Sequence, residues 1–107
     1  MRVLLDESLP EELAGELGLP ETHTVGQLRW AGLKNGVLLG RARDAGFTVF
    51  LTADQGLPYQ QNLTSFGLAV IVLHGRSNRI EDLRALIPQI RRAILVVSPG
   101  QYLRLSA

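Results

Sequence analysis

Two aspartates, Asp6 and Asp54, each stand at the end of an apolar run, Val3-Leu4-Leu5 before the first and Thr48-Val49-Phe50-Leu51-Thr52 before the second. If both runs are strands of one parallel sheet, the two carboxylates leave the same edge and can share a cation. A hard divalent ion such as Mg²⁺ takes oxygen ligands and needs only one or two protein carboxylates, water and substrate phosphate completing its shell. Glu7, next to Asp6, is either a further ligand through its longer stem or a charge in the first turn of a helix. Each aspartate alone would also serve as the cap of the helix that follows. Their matched positions, with Thr52 two residues before Asp54, favour a shared site.

The elements that must position these acids are legible as alternating periods. Val3–Leu5 reads as a strand, and Ser8-Leu9-Pro10-Glu11 has the spacing of a capping box before a helix over residues 9–17. His23-Thr24-Val25 is a weak strand candidate, and residues 26–36, with three glycines, read as loop or a short helical turn. Leu38, Leu39, Ala42 and Ala45 mark one face of a second helix ended by Gly46. Residues 48–52 form a buried strand, Leu57–Asn62 holds a proline and a polar cluster that opens a short helix as far as Phe66, and Leu68–Leu73 is apolar throughout, as in a central parallel strand. Ile80, Leu83, Ile87, Ile90 and Ile94 step at helical spacing. Pro88 should break the bond to the Arg84 carbonyl and kink that helix. Residues 101–105 read as a last edge strand. The alternation predicts a three-layer α/β sandwich, with a mainly parallel central sheet of 4–5 strands, right-handed crossovers and helices on both faces. In such sheets ligands sit at the carboxyl ends of the strands, near the point where strand order reverses.

Composition narrows the chemistry. The chain has 107 residues, 46% of them apolar, which is one domain's core and no more. A formal charge of +1 excludes grip on nucleic acid by bulk electrostatics, so any such contact is local. All the basic residues but Lys34 are arginine, the better bidentate partner for phosphate or carboxylate. The absence of cysteine excludes disulfides, thiolate zinc sites and a thiol nucleophile. No apolar stretch is long enough for a signal peptide or a membrane span, and a cytoplasmic protein is the expectation.

Val3-Leu4-Leu5-Asp6-Glu7, Gly32-Leu33-Lys34-Asn35-Gly36, Thr52-Ala53-Asp54 and Leu57-Pro58-Tyr59-Gln60-Gln61-Asn62, in that order, resemble the PIN-like domain family of small bacterial proteins. The resemblance covers nearly the whole chain, residues 1–107, as a single domain. It implies a Mg²⁺- or Mn²⁺-dependent ribonuclease acting on single-stranded RNA, often the toxin beside an antitoxin protein, with Asp6 and Asp54 as catalytic metal ligands. The departure is at the second helix start, where the family commonly places an acid and this chain has Asn35, with Val37 shortly after. Asn35 can coordinate through its carbonyl oxygen but brings no charge. Asp6, Asp54, Glu7 and Asn35 are few ligands for a two-metal reaction. The expectation divides between one bound ion, with a second recruited by substrate phosphates, and a non-catalytic module that binds RNA or a partner protein.

Tyr59, Gln60, Gln61 and Asn62, just past Asp54, offer an aromatic ring and amides to single-stranded RNA, or are simply a polar loop. His74 ends its strand at the same edge, where it could meet a phosphate or carry a proton, and Arg76 follows it. Arg84 and Arg91 lie on one stripe of the last helix, either solvated or turned to RNA or a partner. Trp30 reads as packing. A phosphoacceptor receiver would share the Asp6-Glu7 and Asp54 acids, but the hydroxyl after the fourth strand and a lysine after the fifth are missing. A homodimer is compatible with the chain and not specified by it.

Overall fold

The computed structural model describes residues 1–107. The elements run β1 (Val3–Leu5), α1 (Glu12–Leu17), β2 (Thr22–Thr24), α2 (Asn35–Asp44), β3 (Val49–Thr52), α3 (Leu57–Gln60), α4 (Leu63–Phe66), β4 (Ala69–His74), α5 (Ile80–Leu83), a 3₁₀ turn (Arg84–Leu86), α6 (Ile87–Val96) and β5 (Tyr102–Ser106). One five-stranded sheet has the order β2-β1-β3-β4-β5 with every pair parallel. The three central strands, β1, β3 and β4, are short, mainly apolar runs because both of their faces are covered, whereas the edge strands β2 and β5 are more polar and more open. Val3, Leu5, Val49, Leu51, Ile71 and Leu73 meet Leu13 and Leu17 of α1 and Leu83, Ile87 and Ile90 of α5 and α6. On the opposite face Leu4, Phe50, Val70 and Val72 meet Leu38, Leu39 and Ala42 of α2, Leu57 of α3 and Leu63 of α4. No helix is long and apolar enough to cross a membrane.

Three local readings are corrected. The Ser8 hydroxyl does not cap α1: it accepts from the Ala53 amide at 3.1 Å and donates to Asp6 at 2.8 Å, and α1 starts later, at Glu12, with no side-chain cap. The helix from Ile80 is not kinked at Pro88 but interrupted before it. The 3₁₀ turn separates α5 from α6, and Pro88 sits in the first turn of α6, where its missing N–H costs nothing. The crossovers, finally, are not of one hand. The connections from β1 through to β4 are consistent with each other: α1 lies on one face for the step to one side, and α2, α3 and α4 on the other face for the steps back. The step from β4 to β5 continues in the same direction, yet α5 and α6 lie on the face of α1. This last crossover therefore has the opposite hand to the other three, against the strong general preference for one hand.

The two arginines expected on one stripe of the last helix, Arg84 in the 3₁₀ turn and Arg91 on α6, both hold α1. Arg84 grips Glu16 through two bonds of 2.8 and 3.1 Å, and Arg91 donates to the carbonyls of Leu17 and Glu16, two of the acceptors left open where α1 ends at Gly18. Trp30, within the loop of residues 26–34, packs edge to face on Phe47.

Candidate functional site

Strand order reverses between β1 and β3, and Asp6 and Asp54 follow those two strands. Both acids thus stand at the crevice where doubly wound sheets hold ligands. Thr52 joins them. Its buried hydroxyl donates to Asp6 Oδ2 at 2.7 Å and accepts from the Asp54 amide at 3.0 Å. Asp6 is 8% exposed. Its Oδ2 also accepts from the Ser8 hydroxyl at 2.8 Å, and its Oδ1 from the Glu7 amide at 2.8 Å. Three donors on one buried carboxylate make Asp6 a clasp between the ends of β1 and β3.

Asp54 is half-buried and more open. Its Oδ1 accepts from the Gly56 amide at 3.0 Å, and its Oδ2 accepts from Asn35 Nδ2 at 3.2 Å. Asn35 is the first residue of α2, preceded by Lys34 in an extended conformation, so the helix start aims the amide at Asp54. Val37, two residues on, is 52% exposed and faces away from the core. Glu7 turns elsewhere: Oε1 accepts from the Gly32 amide at 3.2 Å, anchoring the loop of residues 26–34.

The fit of a divalent cation can be judged from these donors. Among the carboxylates and histidines of the chain no three come together as a metal cluster. Glu7 is bonded away from the pair, Asp6 is occupied by two hydroxyls and an amide, and Asn35 presents its NH₂ to Asp54. This donor set does not fit a two-ion centre. Of the two strand-end acids Asp54 is the more accessible, and its Oδ2 faces the neutral Asn35 amide.

Of the residues expected to touch a substrate, Tyr59, Gln60 and Gln61 lie along α3 and its end. Gln61 reaches over the start of α2, where a Cβ on Gly36 would lie 3.5 Å from its Oε1. Gln60 covers Gly56, where a Cβ would lie 3.0 Å from its Nε2 and 3.5 Å from Asp54 Oδ1. Asn62 is exposed and leads into α4, its carbonyl accepting from the Ser65 amide and hydroxyl. His74 and Arg76 are exposed at and beyond the end of β4 and take part in none of the ion pairs.

Sequence reasoning missed Gln55, Tyr102 and Arg104. Gln55 donates from Nε2 to the carbonyls of Ala53 and Leu73, at 3.1 and 2.9 Å, which fixes its amide across the ends of β3 and β4. Its Oε1 accepts from Arg104 Nε at 3.1 Å. Arg104 Nη2 reaches the Gln55 carbonyl at 3.3 Å and the Tyr59 hydroxyl at 3.4 Å, and the guanidinium carbon lies 5.8 Å from the Tyr59 ring centre. Tyr102 meets Tyr59 edge to face at 6.1 Å, its hydroxyl 3.4 Å from that of Tyr59. Bonds from Tyr102 and then Arg104 hold the Tyr59 phenol below its ordinary pKa, and the Tyr102 phenol is raised because its proton is shared with Tyr59. Arg104 pairs with Gln55 across 49 positions, a contact that no local pattern announces.

The fold and the site define a small, all-parallel, doubly wound α/β domain with an acid pair at its switch point. No family model matches the chain, and no curated protein or solved structure matches it either.

Proposed function

We propose that the chain is a PIN-like domain that binds single-stranded RNA along the carboxyl edge of its sheet and does not cleave it. The observation that carries this is the engagement of Asp6. The carboxylate that a nuclease would keep free for a cation accepts from Glu7, Ser8 and Thr52 and is 8% exposed. Asn35 supports the same conclusion, since it donates to Asp54 where a third acid would bring charge. RNA is favoured as the ligand by what flanks the acids. Gln60 and Gln61 bring amides that can read base edges or phosphate oxygens, and His74 and Arg76 are exposed without carboxylate partners.

A second reading, a metal-dependent endoribonuclease of the toxin type, is favoured by one observation: both acids stand at the switch-point crevice. The two part in a single experiment. A labelled single-stranded RNA is incubated with the protein in Mn²⁺, in Mg²⁺ and in EDTA, and both binding and chain length are followed. Binding that persists in EDTA, with the RNA intact in every condition, is the expected result. Cleavage that needs the metal and disappears in Asp54→Asn would overturn it in favour of the nuclease.

A further inference from the structure

The corner formed by Tyr59, Tyr102 and Arg104 has features that packing does not explain. Tyr59 is 69% exposed and Tyr102 38%, so two aromatic rings are held together in water. Arg104 is exposed and forms none of the ion pairs in the chain. It is nevertheless rigidly placed: Nε is taken by the Gln55 side chain and Nη2 by the Gln55 carbonyl and the Tyr59 hydroxyl, which leaves the two N–H groups of Nη1 unengaged. Gln55 is in turn fixed by two backbone carbonyls. An oriented cation with a free donor pair, beside an exposed ring, suits a planar group carrying an anion.

The reversed last crossover explains why the corner is open. Tyr102 and Arg104 pair with Val70 and Val72 and so share the face of the sheet covered by α2, α3 and α4. A crossover of the usual hand would have laid α5 and α6 over these two residues. Because those helices pass over the opposite face instead, Tyr102 and Arg104 are bordered there by Tyr59 of α3 and by Gln55, and the Tyr59 ring remains exposed. Gln55, one residue past Asp54, ties the corner to the acid edge.

We infer that this corner is a nucleotide subsite, in which Tyr59 stacks one unpaired base of a single-stranded RNA and Arg104 Nη1 holds an adjoining phosphate. Tyr102 buttresses the Tyr59 ring, and Gln55 sets the guanidinium. The subsite rests on the RNA reading given above and adds to it the residues that hold the strand.

The test is fluorescence anisotropy with a labelled ten-nucleotide single-stranded RNA, with the full chain and its Tyr59→Ala, Tyr59→Phe and Arg104→Gln variants, over a range of salt. Stacking of one base on an aromatic ring is worth about 1–3 kcal/mol, which is a roughly 5- to 150-fold weakening in Tyr59→Ala. Tyr59→Phe keeps the ring and should bind within about twofold of the parent. Arg104→Gln should flatten the dependence of log K on log salt by about 0.7, one phosphate's worth for a single strand. Tyr59 and Arg104 are exposed, so all three variants should fold, and circular dichroism checks it. RNA binding that is unchanged in Tyr59→Ala and Arg104→Gln, but weakened in Gln60→Ala or Gln61→Ala, would overturn the subsite and leave the RNA reading standing. No binding by the parent would overturn both and would assign the corner to a protein contact.

Discussion

Asn35→Asp puts the account of the acid edge to a quantitative test. In the parent, Asn35 Nδ2 lies 3.2 Å from Asp54 Oδ2 and donates to it. The substitution removes a hydrogen bond to a charged acceptor, about 1.5–3 kcal/mol, and sets two carboxylates side by side. At that distance, with an effective dielectric of about 20, their repulsion would be roughly 5 kcal/mol if neither moved. Both side chains are only half-buried and can part, which relieves most of it. The new acid also stands in the first turn of α2, which returns about 0.3–1 kcal/mol through the helix dipole. Repulsion and the lost bond outweigh the dipole, and a net destabilisation of about 2–3 kcal/mol is expected without metal, a fall in Tm of roughly 8–20 °C. Mn²⁺ at one hundred times its Kd would restore about 2.7 kcal/mol. Thermal denaturation of parent and variant, with and without Mn²⁺, reads all four quantities. The parent should not respond to the ion and the variant should. A parent that gains as much from Mn²⁺ as the variant would refute the reasoning, because the native edge would then be a metal site already.

Thr52→Val keeps the volume of a fully buried side chain and deletes the hydroxyl that bonds Asp6 and the Asp54 amide. It should cost about 2–3 kcal/mol in urea denaturation with the m-value unchanged, whereas Thr48→Val, at an exposed hydroxyl, should stay within about 0.5. Ultraviolet titration of the two tyrosines should be biphasic around the ordinary phenol value of 10.0. Tyr59 should ionise below it and Tyr102 above, and Tyr102→Phe should shift the Tyr59 step upward. Glu16 is held below its usual value of 4.5 by the Arg84 hydrogen bond. A depressed carboxyl stabilises the fold fully above about 4.5 and loses that contribution as pH falls through the lowered value, so Arg84→Met should lessen the acid dependence of stability below pH 4.5.

The strands and the two strand-end acids were legible because each depends on a local signal. Val3–Leu5, Val49–Thr52 and Ala69–His74 are short apolar runs, and a parallel sheet needs such runs at its centre. The partner of a polar side chain is a different kind of fact. Ser8-x-x-Glu11 has the spacing of a cap, but Ser8 lies within reach of both Asp6 and Ala53, and those contacts displaced the local one. Pro88 announced a break correctly and its place only approximately, because proline tolerates the first turn of a new helix better than the middle of an old one. The corner at Tyr59 was half visible. Tyr59 sits in a polar cluster beside Asp54, whereas Tyr102 and Arg104 belong to an edge strand whose partners depend on the hand of a crossover, and sequence periodicity carries no handedness.

The all-parallel sheet has a further consequence, in the order of folding. No strand is joined to its neighbour by a hairpin, and even the pair closest in sequence, Val3 with Thr22, encloses the whole of α1. The clasp from Thr52 to Asp6 spans 46 positions. Every ladder therefore waits for the closure of a long loop, and no two-strand nucleus can form early and cheaply. Such chains sit on the slow side of small domains, in which helices flicker before the sheet condenses. Asp6 and Thr52 would be among the last groups to leave water, so Thr52→Val should speed unfolding far more than it slows folding.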